Sequence, residues 1–127
     1  MYKNNQTGRK GEDIAYEYLI NKGFLILKRN YLKKFGEIDL IGKAADSTLV
    51  FIEVKTLLNK TTKGNGLFKP EDNLITQKYN NVNRMAQFFV GDYPQLINEE
   101  KGWRIDLVAI EIFELDGSFS VRHYENI

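Results

Sequence analysis

The chain has 127 residues, 43% of them hydrophobic, with a formal net charge of +1, one histidine and no cysteine. That length and apolar content suit one compact domain over residues 1–127 with a real core, and the missing cysteines exclude thiol nucleophiles, disulfides and Cys-rich zinc sites. The charge is uneven: residues 1 to 35 hold eight Lys/Arg and three Asp/Glu, giving +5, and the rest hold ten and fourteen, giving −4, so a basic first third stands apart from an acidic remainder.

No apolar h-region opens the chain and no run of about 18 apolar residues occurs in it, so no membrane contact and a cytoplasmic address are expected. Residues 1–10, with Arg9 and Lys10, read as a flexible basic N-terminus. From Gly11 to Lys22 the apolar residues Ile14, Ala15, Tyr18 and Leu19 recur at helical spacing, and Gly23 is the C-terminal stop. Glu12 opens that helix, where the helix dipole favours an acid; the same carboxylate reaches the sheet if this helix packs on its functional face.

Phe24 to Tyr31 reads as a strand, followed by two more in a meander, Phe35 to Gly42 and Leu49 to Thr56, around a polar turn at Ala45-Asp46-Ser47. Residues 58–70 include Asn59-Lys60-Thr61-Thr62-Lys63-Gly64-Asn65-Gly66, which has little to bury and reads as a mobile loop. With Lys60, Lys63 and Lys69 it is a flap over nucleic acid or a plain connection. A long helix follows from about Glu71, its stripe being Leu74, Ile75, Val82, Met85, Ala86, Phe89 and Val90, and Gly91 with Pro94 ends it. Arg104 to Phe113 and Ser118 to Tyr124 are the last strands, joined by Leu115-Asp116-Gly117. The order is αβββαββ.

Within the last two strands, Trp103 reads as packing rather than a base-stacking platform. Asp106 sits in an apolar run and is expected to pair with a basic group, because an unpaired buried charge is costly. His123 is taken as a surface residue, so no Ser-His-Asp triad is expected. No Walker-type Gly-Lys-Ser/Thr and no Gly-x-Gly-x-x-Gly after a strand is present.

The stretch from Phe35 to Thr56 carries the chemistry. Successive strand residues point to opposite faces, so Glu53 and Lys55 share one face, and an antiparallel hairpin centred on Asp46 sets Asp39 opposite Glu53. Val50, Ile52 and Val54 fill the other face. A lone Glu-x-Lys is usually a surface ion pair worth about 0 to 1 kcal/mol. Here Asp39, Glu53 and the carbonyl of Val54 offer the oxygen donors that a hard divalent cation prefers. Beside it Lys55 can orient or deprotonate a water for attack on a phosphodiester. Glu37 shares the parity of Asp39, as a supporting carboxylate or a partner of a neighbouring lysine. Arg9, Lys10, Lys28, Arg29, Lys33 and Lys34 are available for backbone phosphates, or form a solvated basic face.

Taken in order, Gly8-x-x-Gly11-Glu12-x-x-Ala15-x-x-Tyr18-Leu19, Gly23-Phe24, Asn30, Gly36-Glu37-Ile38-Asp39-Leu40-Ile41, Phe51-Ile52-Glu53-Val54-Lys55 and Arg104-Ile105-Asp106-Leu107-Val108 resemble the YraN family over nearly the whole chain, up to about Ile112. This is a set of small bacterial proteins with the restriction-endonuclease-like fold, similar to archaeal Holliday junction resolvases. The resemblance implies an α/β, three-layer core with a mixed central sheet of about five strands flanked by helices. It implies that Glu12, Asp39 and Glu53 bind Mg²⁺ or Mn²⁺, with Val54 adding its carbonyl, and that Lys55 serves the nucleophilic water. Lys78 falls near the family's lysine in the second long helix. One departure is local: the family's arginine two residues after Asn30 is Leu32 here, which moves a phosphate contact to Lys33 or Lys34. The expectation is a metal-dependent endonuclease acting on nucleic acid, DNA first, selective for branched structure and able to pair as a homodimer. The alternative is a non-catalytic nucleic-acid-binding or partner-binding module on the same fold.

Overall fold

Alternating side chains organise the centre of the molecule. Leu49 and Phe51 leave β3 (Leu49–Asn59) on one face and Val50 and Ile52 on the other, and all four are fully buried, so the strand needs a covering layer on each side. The computed structural model describes residues 2–60 and 76–127, with side chains for 6–60 and 79–127. Before β3 come α1 (Tyr2–Asn21), β1 (Leu25–Lys33) and β2 (Gly36–Lys43); after it come α2 (Thr76–Asp92), a 3-10 turn at Pro94–Leu96, β4 (Trp103–Phe113) and β5 (Phe119–Tyr124). The expected αβββαββ order is the one observed.

The sheet runs β1-β2-β3-β4-β5. β1/β2, β2/β3 and β4/β5 are antiparallel and β3/β4 is parallel, which makes the sheet mixed. A parallel pair needs a crossover longer than a hairpin turn, and α2 lies in it. One face carries Ala15 and Leu19 of α1 against Leu40, Val50, Ile52, Val108 and Ile110. The other carries Val82, Met85, Ala86 and Phe89 of α2 against Ile38, Ile41, Leu49 and Phe51. There Phe51 meets Phe89 and Trp103 edge-on, with ring centroids 5.6 and 5.4 Å apart, a preferred aromatic geometry. Trp103 is thus a packing residue, as its setting suggested.

Two boundaries differ most from the sequence reading. Helix α1 starts at Tyr2, so residues 2–10, expected as a flexible basic terminus, are helical. Gly8 and Gly11 weaken helix propensity, yet Gly11 is used: a Cβ there would overlap Thr56 Oγ1, so its lack of a side chain lets α1 lie directly on β3. β3 continues through Leu58 and Asn59, which were expected in the loop; the remainder of that loop, with Lys63 and Lys69, and the expected helix start at 71–75 lie outside the described residues. At the other end of α1, Gly23 (φ 97°) closes the helix as expected, with Gly23 N–H bonded to the Ile20 carbonyl and Phe24 N–H to that of Leu19. Among the described residues no helix is long and apolar enough to cross a membrane.

Candidate active site

The β2–β3 hairpin turns where the sequence placed it. Asp46 Oδ1 accepts from Thr48 N–H (3.0 Å) and Thr48 Oγ1 (2.6 Å), which tightens the turn. The register Lys43↔Leu49, Gly42↔Val50, Ile41↔Phe51, Leu40↔Ile52 points to Asp39↔Glu53 as the next pair. The ladder stops one step short. Asp39 Oδ2 instead accepts the main-chain N–H of Val54 at 2.8 Å, so the carboxylate holds the peptide between Glu53 and Lys55 as the two strands part.

A second irregularity explains why Asp39 is free to do this. In the β1/β2 ladder Arg29 pairs with Leu40 and Tyr31 with Ile38. Leu40 packs under α1, and Arg29 bonds Asp13 of α1 at 2.8 Å, whereas Tyr31 and Ile38 pack under α2. Side chains of one parity therefore change face between the two pairs. The change falls at Asn30, with φ 54°, and at Asp39 between Ile38 and Leu40; asparagine accepts that left-handed backbone better than most residues.

Glu12 reaches the same place from α1. Its carboxyl is pushed above the usual glutamate range, first by burial and next by the charge of Asp39, with Glu37 and Asp13 adding and Arg29 opposing. Glu37 is raised by burial and then by Asp39. Glu12, Glu37 and Asp39 thus sit within electrostatic reach of one another. Along β3, Val50, Ile52 and Val54 belong to the α1 side, so alternation turns Glu53 and Lys55 toward the face that Phe51 shares with α2. Glu53 is 6% exposed and Lys55 half-buried. Asp39 touches both groups, one through charge and the other through the Val54 peptide. Among the described residues no three His, Asp or Glu side chains stand close enough to hold a metal ion together.

The expected phosphate-binding residues divide. Lys33 and Lys34 are exposed at the tip of the β1–β2 hairpin, beyond the Asp39 end of β2. Arg9 and Lys10 line a groove between α1 and β5 with Ile14, Tyr18, Phe119 and Val121. Two residues apart on a helix means about 200° of rotation, so Lys10 and Glu12 occupy opposite flanks of α1. Lys78 is in the first turn of α2, its side chain outside the described residues, as is Lys63.

His123 is not a surface residue: its side chain is 2% exposed. One ring nitrogen lies 2.8 Å from Asp106 Oδ2 and the other 2.9 Å from Lys22 Nζ. An ammonium group only donates, so Nδ1 accepts from Lys22 and Nε2–H donates to Asp106. Asp106, fully buried, also takes Arg104 Nε at 2.9 Å and Asn126 N–H at 2.9 Å. The expected basic partner of Asp106 is therefore Arg104, joined by a histidine. Alternation sets Val121 and His123 on one face of β5, but which face turns inward is decided by packing against Tyr18 of α1 and Phe24.

Residues 11–110 match the family described as "Uncharacterised protein family UPF0102". The chain belongs to the UPF0102 family. It is 33% identical over 125 residues to a UPF0102 protein of Clostridium botulinum (strain Loch Maree / Type A3), covering 98% of this chain and 95% of that one. A UPF0102 protein of Campylobacter lari (strain RM2100 / D67 / ATCC BAA-1060) is 40% identical over 103 residues, 81% of each chain. One of Dictyoglomus turgidum (strain DSM 6724 / Z-1310) is 37% identical over 87 residues, 68% of this chain and 69% of that one. The family span runs from Gly11 to Ile110 within β4 and takes in the Glu12, Asp39 and Glu53-Val54-Lys55 motifs on which the YraN-type resemblance rests.

Proposed function

We propose that this chain is a metal-dependent endonuclease hydrolysing phosphodiester bonds in nucleic acid, with DNA, and branched DNA in particular, as its substrate. The observation that carries the reading is the Asp39 carboxylate held at 2.8 Å on the peptide between Glu53 and Lys55, with Glu12 brought up against its charge. Carboxylates gathered in this way repel one another, and a cation relieves that cost.

The donor chemistry fits Mg²⁺ or Mn²⁺. Asp39, Glu53 and the Val54 carbonyl offer oxygen only, with Glu12 reaching Asp39 from the α1 side while Glu53 turns to the other face, and such ions are commonly held by one or two carboxylates with several waters retained, so a preformed cage of three acids is not required. Bound there, the ion would supply Lewis acidity toward a phosphoryl oxygen and a more acidic water. The chain's own residues do the rest. The Val54 N–H fixes the orientation of Asp39. Lys55, two residues from Glu53 on the same face, orients the attacking water or takes its proton. Lys33 and Lys34 bind backbone phosphates on the hairpin side, and Lys63 and Lys78 are further contacts from the segment after β3 and from α2. Such an enzyme would work in the cytoplasm, and a homodimer would suit a two-fold symmetric junction.

The test is cleavage of branched, flapped and linear substrates with Mg²⁺ or Mn²⁺ by the purified chain. Glu53→Gln and Lys55→Ala should each lower cutting by about a hundredfold or more with circular dichroism unchanged. Equal cutting by wild type and variants assigns the activity to a contaminant and ends the proposal. A second reading, a nucleic-acid-binding module without turnover, draws on the lack of a three-carboxylate group among the described residues. Binding that persists in chelator, with no cleavage of any substrate, selects it.

A further inference from the structure

Beyond Asp39 the β1–β2 hairpin carries on past the point where β3 pairs with it, through Tyr31↔Ile38, Leu32↔Glu37 and Lys33↔Gly36 to a turn at Lys34 and Phe35. Its tip leans on α2. Phe35 lies against Phe88 with ring centroids 5.0 Å apart and planes at 48°, and the Arg84 guanidinium sits over the Phe35 ring, 4.6 Å from its centroid. Arg84 and Phe88 are four residues apart on α2 and so share one flank of the helix. Both are exposed, Phe88 to 48%. Met85 and Phe89, on the adjoining flank, are buried in the core and hold the helix in place.

An aromatic ring left half-bare beside a stacked guanidinium has no role in the core. We infer that Phe35, Arg84 and Phe88 form a stacking platform for an unpaired base of a single-stranded or branched nucleic acid, with Lys33 and Lys34 holding the flanking phosphates. Ring faces and guanidinium planes are the surfaces on which unstacked bases settle, whatever their sequence, and continuous duplex keeps its bases out of reach. The local charge suits the partner: Lys33 lies 5.4 Å from the Tyr31 ring centroid on the α2 side, while Glu37, across from Leu32, belongs to the opposite face. Four residue steps lead from Phe35 to Asp39, about 13 Å in extended chain, so the platform takes a base near the scissile phosphate and not the one at it. The inference rests on the nucleic-acid reading proposed above and narrows it to substrates with unpaired nucleotides.

Fluorescence anisotropy in chelator, with the full chain, a single-stranded oligonucleotide and the matching duplex, tests the platform without needing turnover. The single strand should bind more tightly, and Phe88→Ala should weaken it by about fivefold or more while changing duplex binding little; Phe88→Tyr, which keeps the ring, should restore wild-type affinity. Since Phe88 is exposed, circular dichroism should be unchanged in both variants. Equal affinity for strand and duplex, or an unchanged single-strand affinity in Phe88→Ala, overturns the inference. The two proposals fail separately. Cleavage of continuous duplex that Phe88→Ala leaves intact keeps the endonuclease and removes the platform, whereas Phe88-dependent binding without any cleavage keeps the platform and removes the enzyme.

Discussion

Asp39 and Asp106 are both aspartates set into apolar strands, and the fold uses them in different ways. Asp106 is surrounded by its own donors. Burial alone would raise its carboxyl, but bonds from His123, Arg104 and Asn126 N–H, with the Arg104 charge, outweigh it and hold the group below the usual aspartate range. A folded-state pKa below the unfolded one means that the stabilisation is complete above the unfolded value of 3.8 and is lost as pH falls through the lower folded value. Asp106→Asn should therefore cost about 3 kcal/mol at neutral pH and flatten the acid limb below about pH 4 in urea titrations followed by fluorescence. An acid limb as steep as that of wild type would assign the acid sensitivity to other carboxylates. Asp39 accepts from the main-chain Val54 N–H and faces two other carboxyls. The need of Asp106 for a base could be read from its apolar neighbours. That His123 would be part of the answer could not, because Lys22, Asp106 and His123 are brought together by three different elements.

At the scale of elements, α1 shows how a local rule yields to packing. The apolar spacing of Ile14, Ala15, Tyr18 and Leu19 put the helix start at Gly11, and a glycine inside a helix is worth about 1 kcal/mol less than alanine. The structure runs the helix through that position because Gly11 is where α1 meets Thr56 of β3, one residue after Lys55. Gly11→Ala should thus destabilise by about 1 to 3 kcal/mol despite its better helix propensity. In a Thr56→Ala background the penalty should shrink, since the overlapping hydroxyl is gone. A stabilised Gly11→Ala protein in thermal melts would show that the contact is loose. The β1–β2 ribbon carries the converse lesson. Strand periodicity located the strands to within one to three residues, but not the change of face at Asn30 and Asp39. Periodicity assumes an unbroken pleat, and one residue at φ 54° is enough to reverse it.

Across the whole molecule, the central strand β3 couples the two layers. Phe51, fully buried, touches Phe89 of α2 and Trp103 of β4, while Val50 and Ile52 beside it face α1. Phe51→Ala should cost about 3 to 5 kcal/mol, measured as a lower urea midpoint, and should loosen α2 first. Hydrogen exchange that weakened α1 before α2 would contradict this division of the core. The strand that carries Glu53 and Lys55 is thus also one that packs against both layers, buried from Leu49 to Glu53, a rigid base for groups that must be placed accurately.

The sequence by itself determined the element order, the hairpin centred on Asp46 and the Asp39, Glu53-Val54-Lys55 motif, because each follows from side-chain period and turn chemistry over a few neighbouring residues. Only the tertiary structure decided that Glu12 arrives beside Asp39, that Lys10 leaves on the other flank of α1, that His123 is buried, and that Arg84 stacks on Phe35. Those are contacts between elements far apart in the chain. They depend on how a helix is rotated and how a sheet is twisted, quantities to which every packed residue contributes and which no short stretch of sequence records.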